Sequence, residues 1–153
     1  MKISKLIGIV ASIVLVAGMA FADVTSDIAT AKVLYVNKDY AEAQAAFEKV
    51  IKDYPTATVN ILANAQSFVG YSLRSQGKHA EATEAYVKAV ILYVRVPNVV
   101  SKTLIDTFSL INPALMTTAD YATALQSIIK ATPATEANAE FLGRIKSEIE
   151  KMK

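Results

Sequence analysis

The sequence predicts an all-α fold built as a helical-repeat array and closed by a terminal capping helix, and three observations lead there. A short pattern returns: Asp39-Tyr40-Ala41-Glu42-Ala43-Gln44-Ala45-Ala46-Phe47-Glu48-Lys49-Val50, and later Lys78-His79-Ala80-Glu81-Ala82-Thr83-Glu84-Ala85-Tyr86-Val87-Lys88-Ala89. In both copies a small residue, an aromatic and a further apolar residue follow at spacings of three and four, which places them on one stripe of a helix. A fainter third copy runs through Tyr121, Ala124, Ile128 and Ala131. The other apolar stripes share that period, and each is bounded by Pro, Gly or a capping residue. The last twenty residues form one amphipathic stripe, as the end of a repeat array requires.

In chain order, Lys2 and Lys5 precede an apolar stretch from Leu6 to Ala17, and Ala20-Phe21-Ala22 precede Asp23. This is the layout of a secretory signal peptide over residues 1–22, with cleavage expected after Ala22. The alternative is an uncleaved amino-terminal membrane anchor. No Cys follows the apolar stretch to carry a lipid, and the whole 153-residue chain has none, so no disulfide framework is available. The expected location is periplasmic or secreted, without stable membrane insertion once the leader is removed.

The full chain has sixteen basic and fourteen acidic residues. Loss of the leader removes Lys2 and Lys5 and no acid, leaving fourteen of each. That balance, with scattered Lys and Arg, argues against a nucleic-acid partner. The remainder, 23–153, is one domain by length.

Its elements follow from local signals. Val24, Ile28, Ala31, Leu34 and Tyr35 have helical spacing, and Asn37-Lys38-Asp39 interrupts it. A second helix runs from Tyr40 to Asp53 and stops at Tyr54-Pro55, because proline disfavours helical geometry in the residue before it. Thr56 to Ser75 forms a third, ended at Gln76-Gly77, where glycine can adopt the left-handed cap conformation. The fourth spans about Lys78 to Val94. Its Tyr86–Val96 part is rich in β-branched and aromatic residues, but it continues the Ala82, Tyr86, Ala89 stripe, and a lone strand would leave its backbone groups unpaired. Asn98–Leu110 reads as a fifth helix ended by Asn112-Pro113, and Ala119–Lys130 as a sixth, capped by Thr117, Thr118 or Asp120. Residues 134–153 place Ala137, Phe141, Ile145, Ile149 and Met152 on one face, as a capping helix, a helix that meets a partner or a frayed tail.

These residues resemble the tetratricopeptide repeat, a unit of about 34 residues folded as two antiparallel helices. With His79 at the family's early aromatic position in the second helix, Gly70 falls on the small position of the first helix, Ala82 on the alanine position, Tyr86 on the next aromatic and Ala89 on the last small one. In the first copy Ala31, Tyr40, Ala43, Phe47 and Pro55 take the corresponding places. The first helices lack the Trp and Leu-Gly signature, and the copies stand 39 residues apart, Tyr40 to His79. The resemblance implies a right-handed array with two clear hairpins, 24–57 and 63–96, one degenerate unit, 97–133, and the capping helix, 134–153.

Little in the chain points to catalysis. One His and no Cys offer no set of metal ligands, and no Gly-rich phosphate loop is present. Glu81 with Glu84, and Glu148 with Glu150, sit among lysines on polar helix faces, where modest solvated pairs are expected. Neither cofactor nor metal is expected, and an enzyme with an unrecognised site is the remote alternative.

The resemblance implies that the first helix of each unit lines a concave groove, and the groove positions bearing polar or aromatic groups are Lys32 and Tyr35 in one unit and Asn64, Ser67, Tyr71 and Arg74 in the next, with Ile28 beside them. Asn holds a backbone amide at both ends, Tyr offers apolar area with a polar tip, and Lys and Arg receive carboxylates. The corresponding function is a non-enzymatic protein–protein interaction scaffold of the bacterial cell envelope that binds a peptide or partner protein. Two alternatives stand beside it: Tyr35 and Tyr71 pack between units, or the apolar Val87–Val100 region or the tail helix meets another copy of the chain.

Overall fold

The computed structural model describes residues 24–97 and 101–152. The expected leader and the start of the fifth helix, Asn98–Val100, lie outside the described residues. Within them are seven α-helices, two single 3₁₀ turns and no strand. The helices are α1 (24–36), α2 (Tyr40–Asp53), α3 (Val59–Ser75), α4 (His79–Tyr93), α5 (Ser101–Phe108), α6 (Thr118–Ala131) and α7 (Ala139–Glu150). None is long and apolar enough to cross a membrane.

Helix ends follow side-chain chemistry. The third helix starts at Val59 and not at Thr56, because Pro55 opens a turn and the Thr58 hydroxyl accepts from the Ile61 amide at 3.4 Å. Thr117 caps α6 by accepting from the Asp120 amide at 3.1 Å. The β-branched segment after Tyr86 is helical to Tyr93. The last helix begins at Ala139 rather than 134, after a 3₁₀ turn at Glu136–Asn138.

Side-chain contacts fix the helix directions. Tyr35 and Tyr40 meet across the α1–α2 turn, and at the other end of that pair the Tyr54 hydroxyl donates to Asp27 at 2.8 Å. The Gln76 amide, just past α3, donates to Gln44 and to the Tyr40 carbonyl at the start of α2. Tyr93, at the end of α4, reaches back to Asn64 and Ser67 in the first half of α3. Helices α1 to α4 therefore alternate in direction as two successive hairpins.

The turns of these hairpins share one hydrogen-bond pattern at an offset of 39 residues. Asn37, Lys38 and Asp39 amides donate to the Val33, Tyr35 and Leu34 carbonyls; Gln76, Gly77 and Lys78 amides donate to those of Ser72, Arg74 and Leu73. The left-handed residue falls at the same place, Lys38 with φ 69° and Gly77 with φ 77°. The buried stripe repeats as well: Ala31, Ala43, Phe47 and Val50 correspond to Gly70, Ala82, Tyr86 and Ala89.

Beyond α4 the pattern changes. Helices α5 and α6 each pack on α4 without packing closely on each other, and α7 packs on α6 and α5 through Phe141 and Ile145. One continuous core runs from Val24 to Ile145.

Candidate functional site

The surface shared by α1 and α3 carries a run of rings. Tyr35 lies edge-on to Phe68 with centroids 5.6 Å apart, Phe68 edge-on to Tyr71 at 5.6 Å, and Tyr71 against Tyr86 at 5.6 Å. Phe47 stacks beneath Phe68 at 4.8 Å. Edge-on rings of this kind attract through their quadrupoles. The Lys32 ammonium stands 5.5 Å from the Phe68 centroid, so its charge faces the ring's negative surface. Tyr35, Phe68 and Tyr71 are half-buried, and Lys32 is exposed. Lys32, Tyr35 and Tyr71 thus share one surface, centred on Phe68, which sequence reasoning had left out. Tyr35 also packs between hairpins, on Phe68 of α3, whereas the ring neighbours of Tyr71, Phe68 and Tyr86, both lie within the second hairpin. Burial raises the Tyr71 pKa, and Arg74 opposes the rise.

Asn64 and Ser67 have a different role. Ser67, expected on the open groove, is only 3% exposed, and its hydroxyl donates to Tyr93 at 3.4 Å. The Tyr93 hydroxyl in turn donates to Asn64 Oδ1 at 3.0 Å, and Asn64 Nδ2 donates to the Asn60 carbonyl at 2.8 Å. The physical reason is helix phase. Ser67 lies one turn before Gly70 on the side of α3 that meets α4, where a small hydroxyl satisfies the tyrosine arriving from the neighbouring helix.

Arg74 is exposed and faces a separate cavity of about 490 Å³, between the α3–α4 hairpin and residues 109–115. His79, Thr83 and Tyr86 line it from α4; Ser109, Leu110, Ile111, Asn112, Pro113 and Leu115 line it from the chain leading to α6. No carboxylate is among these residues, and Arg74 makes no ion pair among the described residues.

Thr83 and Tyr86 are each 1% exposed. The Thr83 hydroxyl donates to the His79 carbonyl at 3.1 Å, whereas the Tyr86 hydroxyl has no hydrogen-bond partner, a state shared only with Ser72 Oγ among the buried polar side-chain atoms of the described residues. Burial, and next the Tyr71 ring, push the Tyr86 pKa up to about 12; nearby Arg74 pulls the other way but is not seated in hydrogen-bond geometry. The ring is held by Gly70, where an added Cβ would stand 2.5 Å from Tyr86 Cε1. Sequence reasoning placed Tyr86 in the packing stripe and missed its hydroxyl. The available signal was Phe47, which fills the same place in the other copy without one.

Among the described residues no group of three or more His, Cys, Asp or Glu side chains converges to hold a metal. No protein-family model, curated protein or solved structure matches the chain.

Proposed function

We propose that this chain is an exported, non-enzymatic binding scaffold of the bacterial cell envelope, a tetratricopeptide-like helical repeat that takes a peptide or partner protein along its α1–α3 face. The observation that carries the reading is the half-exposed surface of Tyr35, Phe68 and Tyr71 with Lys32 poised over it. Rings with polar tips beside a cation are the groups that dominate peptide recognition, because they bury much area with little loss of side-chain freedom. The matching turns and stripes at an offset of 39 residues support the repeat assignment.

The oligomer-forming alternative has less support. Val90, Tyr93 and Val94 are buried within the protein, as are Phe141 and Ile145 on the tail helix, so these apolar faces are largely used by the fold.

Panning a random peptide library against the purified chain, then titrating the selected peptide, tests the binding reading. Tyr71→Ala and Lys32→Glu should each weaken binding by on the order of 1–3 kcal/mol while leaving the helical spectrum intact. Unchanged affinity in both would move the binding surface elsewhere. Export is tested separately by sequencing the amino terminus of the protein recovered from the envelope fraction, which should begin at Asp23.

A further inference from the structure

The second hairpin differs from the first in a way that packing does not require. Phe47 and Tyr86 occupy equivalent places, 39 residues apart, and both are buried to 1% exposure or less. A phenyl ring suffices in the first, yet the second carries a hydroxyl buried without a partner. Such a group weakens the fold unless something else uses it. At the groove position one turn past Ala31 and Gly70 the first hairpin has Tyr35 and the second Arg74, an exposed guanidinium with no ion pair among the described residues. Arg74 and Tyr86 both line the same cavity, whose lining is free of acids.

We propose that this cavity binds a carboxylate borne next to a small apolar group, with the Arg74 guanidinium and the Tyr86 hydroxyl as its recognition pair. The proposal rests on the reading of the chain as a binding scaffold and gives that scaffold a ligand chemistry. A guanidinium presents paired N–H donors that match the two oxygens of a carboxylate, and a phenol supplies one further donor. Asn112 adds donors of the right kind, since its Oδ1 is already taken by the Ala114 amide and its Nδ2 remains. Leu110, Ile111 and Leu115 supply apolar wall for the group behind the carboxylate. One guanidinium with an apolar wall suits a monoanion better than a phosphate dianion. The volume is of the size that small ligands or a terminal peptide residue fill.

The carboxylate could belong to a free organic acid or to the last residue of a peptide, and one set of titrations separates them. The protein as purified from cells is followed by ¹⁵N–¹H NMR while N-acetyl-leucine is added, and again with neutral N-acetyl-leucinamide. The acid should give saturable shifts confined to residues around Arg74, Tyr86 and Asn112, with the amide weaker by about tenfold or more. Arg74→Gln should lose about as much. Tyr86→Phe should weaken binding while leaving the melting temperature equal or higher, a combination that a purely structural tyrosine would not give. The acid and amide binding alike, no saturable shift, or Tyr86→Phe binding as tightly as the unaltered chain would each overturn the proposal. If N-acetyl-Ala-Ala-Ala-Leu binds much more tightly than N-acetyl-leucine, the source is a peptide terminus; equal affinities assign a free acid, and both outcomes support the site. N-acetyl-leucine reports on the cavity alone, so its failure would leave the α1–α3 peptide surface standing. Insensitivity of a panned peptide to both Tyr71→Ala and Lys32→Glu would remove that surface and leave the cavity.

Discussion

The first and second hairpins are the same backbone solution carried out with different side chains. Ala31 and Phe47 hold the buried places in one that Gly70 and Tyr86 hold in the other, where the ring lies against the glycine. The turn is reached by Lys38 in one and Gly77 in the other, with the same three hydrogen bonds. Where both copies agree, as at the buried Ala43 and Ala82, a tightly packed core favours a small side chain in each. Where they differ, the requirement is local, or it lies outside folding altogether. The hydroxyl of Tyr86 belongs to the second kind, and the contrast with Phe47 identifies it. Helices α5 and α6 show the limit of the scheme: without close mutual packing they lean on α4, and the chain between them forms a cavity wall instead of a tight turn.

The largest expected effect comes from removing the ring that each hairpin shares. Phe47→Ala and Tyr86→Ala should each destabilise by about 3–5 kcal/mol, since both rings are buried and the helices around them cannot fully collapse. Urea unfolding of the two variants checks this. A much smaller loss in one hairpin would mean that the two are not equivalent units.

A smaller effect separates the partners of those rings. At Gly70 a methyl group would meet the Tyr86 ring, so Gly70→Ala should cost roughly 1–3 kcal/mol by overpacking even though alanine favours helix. The reverse change in the first hairpin, Ala31→Gly, should cost about 1 kcal/mol through helix propensity. Ala43→Leu and Ala82→Leu should each cost roughly 1–3 kcal/mol by overpacking, whereas the exposed Glu48→Gln should change little. Thermal melts that found Ala82→Leu harmless would put the proposed register in error.

This comparison also shows what the sequence could and could not convey. Helix existence was legible because the Ala43–Phe47–Val50 and Ala82–Tyr86–Ala89 stripes have a 3.6-residue period and Pro or Gly bound them. Helix starts were less so: Val59 depends on a Thr58 cap that competes with Thr56, a shift within the ordinary scatter of helix ends. Among the site residues, Lys32, Tyr35 and Tyr71 were placed on one face by the resemblance to the tetratricopeptide repeat. Ser67 was not recognisable as buried, since its environment is set by Tyr93, 26 residues away. The cavity wall at 109–115 comes from a segment with no period at all, and only the fold brings it to Arg74 and Tyr86.

Titration offers a third contrast between the hairpins. The Tyr86 pKa is about 12 in the folded protein against an ordinary value of 10.0. A group whose pKa is raised on folding contributes stability that is complete below the unfolded value and is lost as pH rises through the folded one. The window is therefore pH 10 to 12, and the shift corresponds to roughly 2–3 kcal/mol. Phe47, at the equivalent place, does not ionise. Denaturation curves of the unaltered chain should lose stability across that window faster than those of Tyr86→Phe. Parallel pH profiles would mean that the hydroxyl is solvated and that the two hairpins differ less than their structures indicate.

The smallest effect concerns the two turns. A side chain in the left-handed region meets the following carbonyl oxygen, at a cost of about 1–2 kcal/mol for an ordinary residue, and glycine escapes that clash. Lys38 is exposed and makes no ion pair among the described residues, so nothing at its side chain offsets the strain. Against the relief stands the greater freedom that glycine gives the unfolded chain, worth about 0.5–1 kcal/mol. Lys38→Gly should therefore raise stability slightly, by under about 1 kcal/mol, while Gly77→Ala should lower it by a similar amount, because an added Cβ at Gly77 would meet no other atom and the change acts through φ alone. Melting temperatures of the two variants should move in opposite directions. If Lys38→Gly lowered stability, the lysine would have to hold its turn through something besides the backbone, and the equivalence of the two hairpins would fail at the feature where their hydrogen bonds agree most closely.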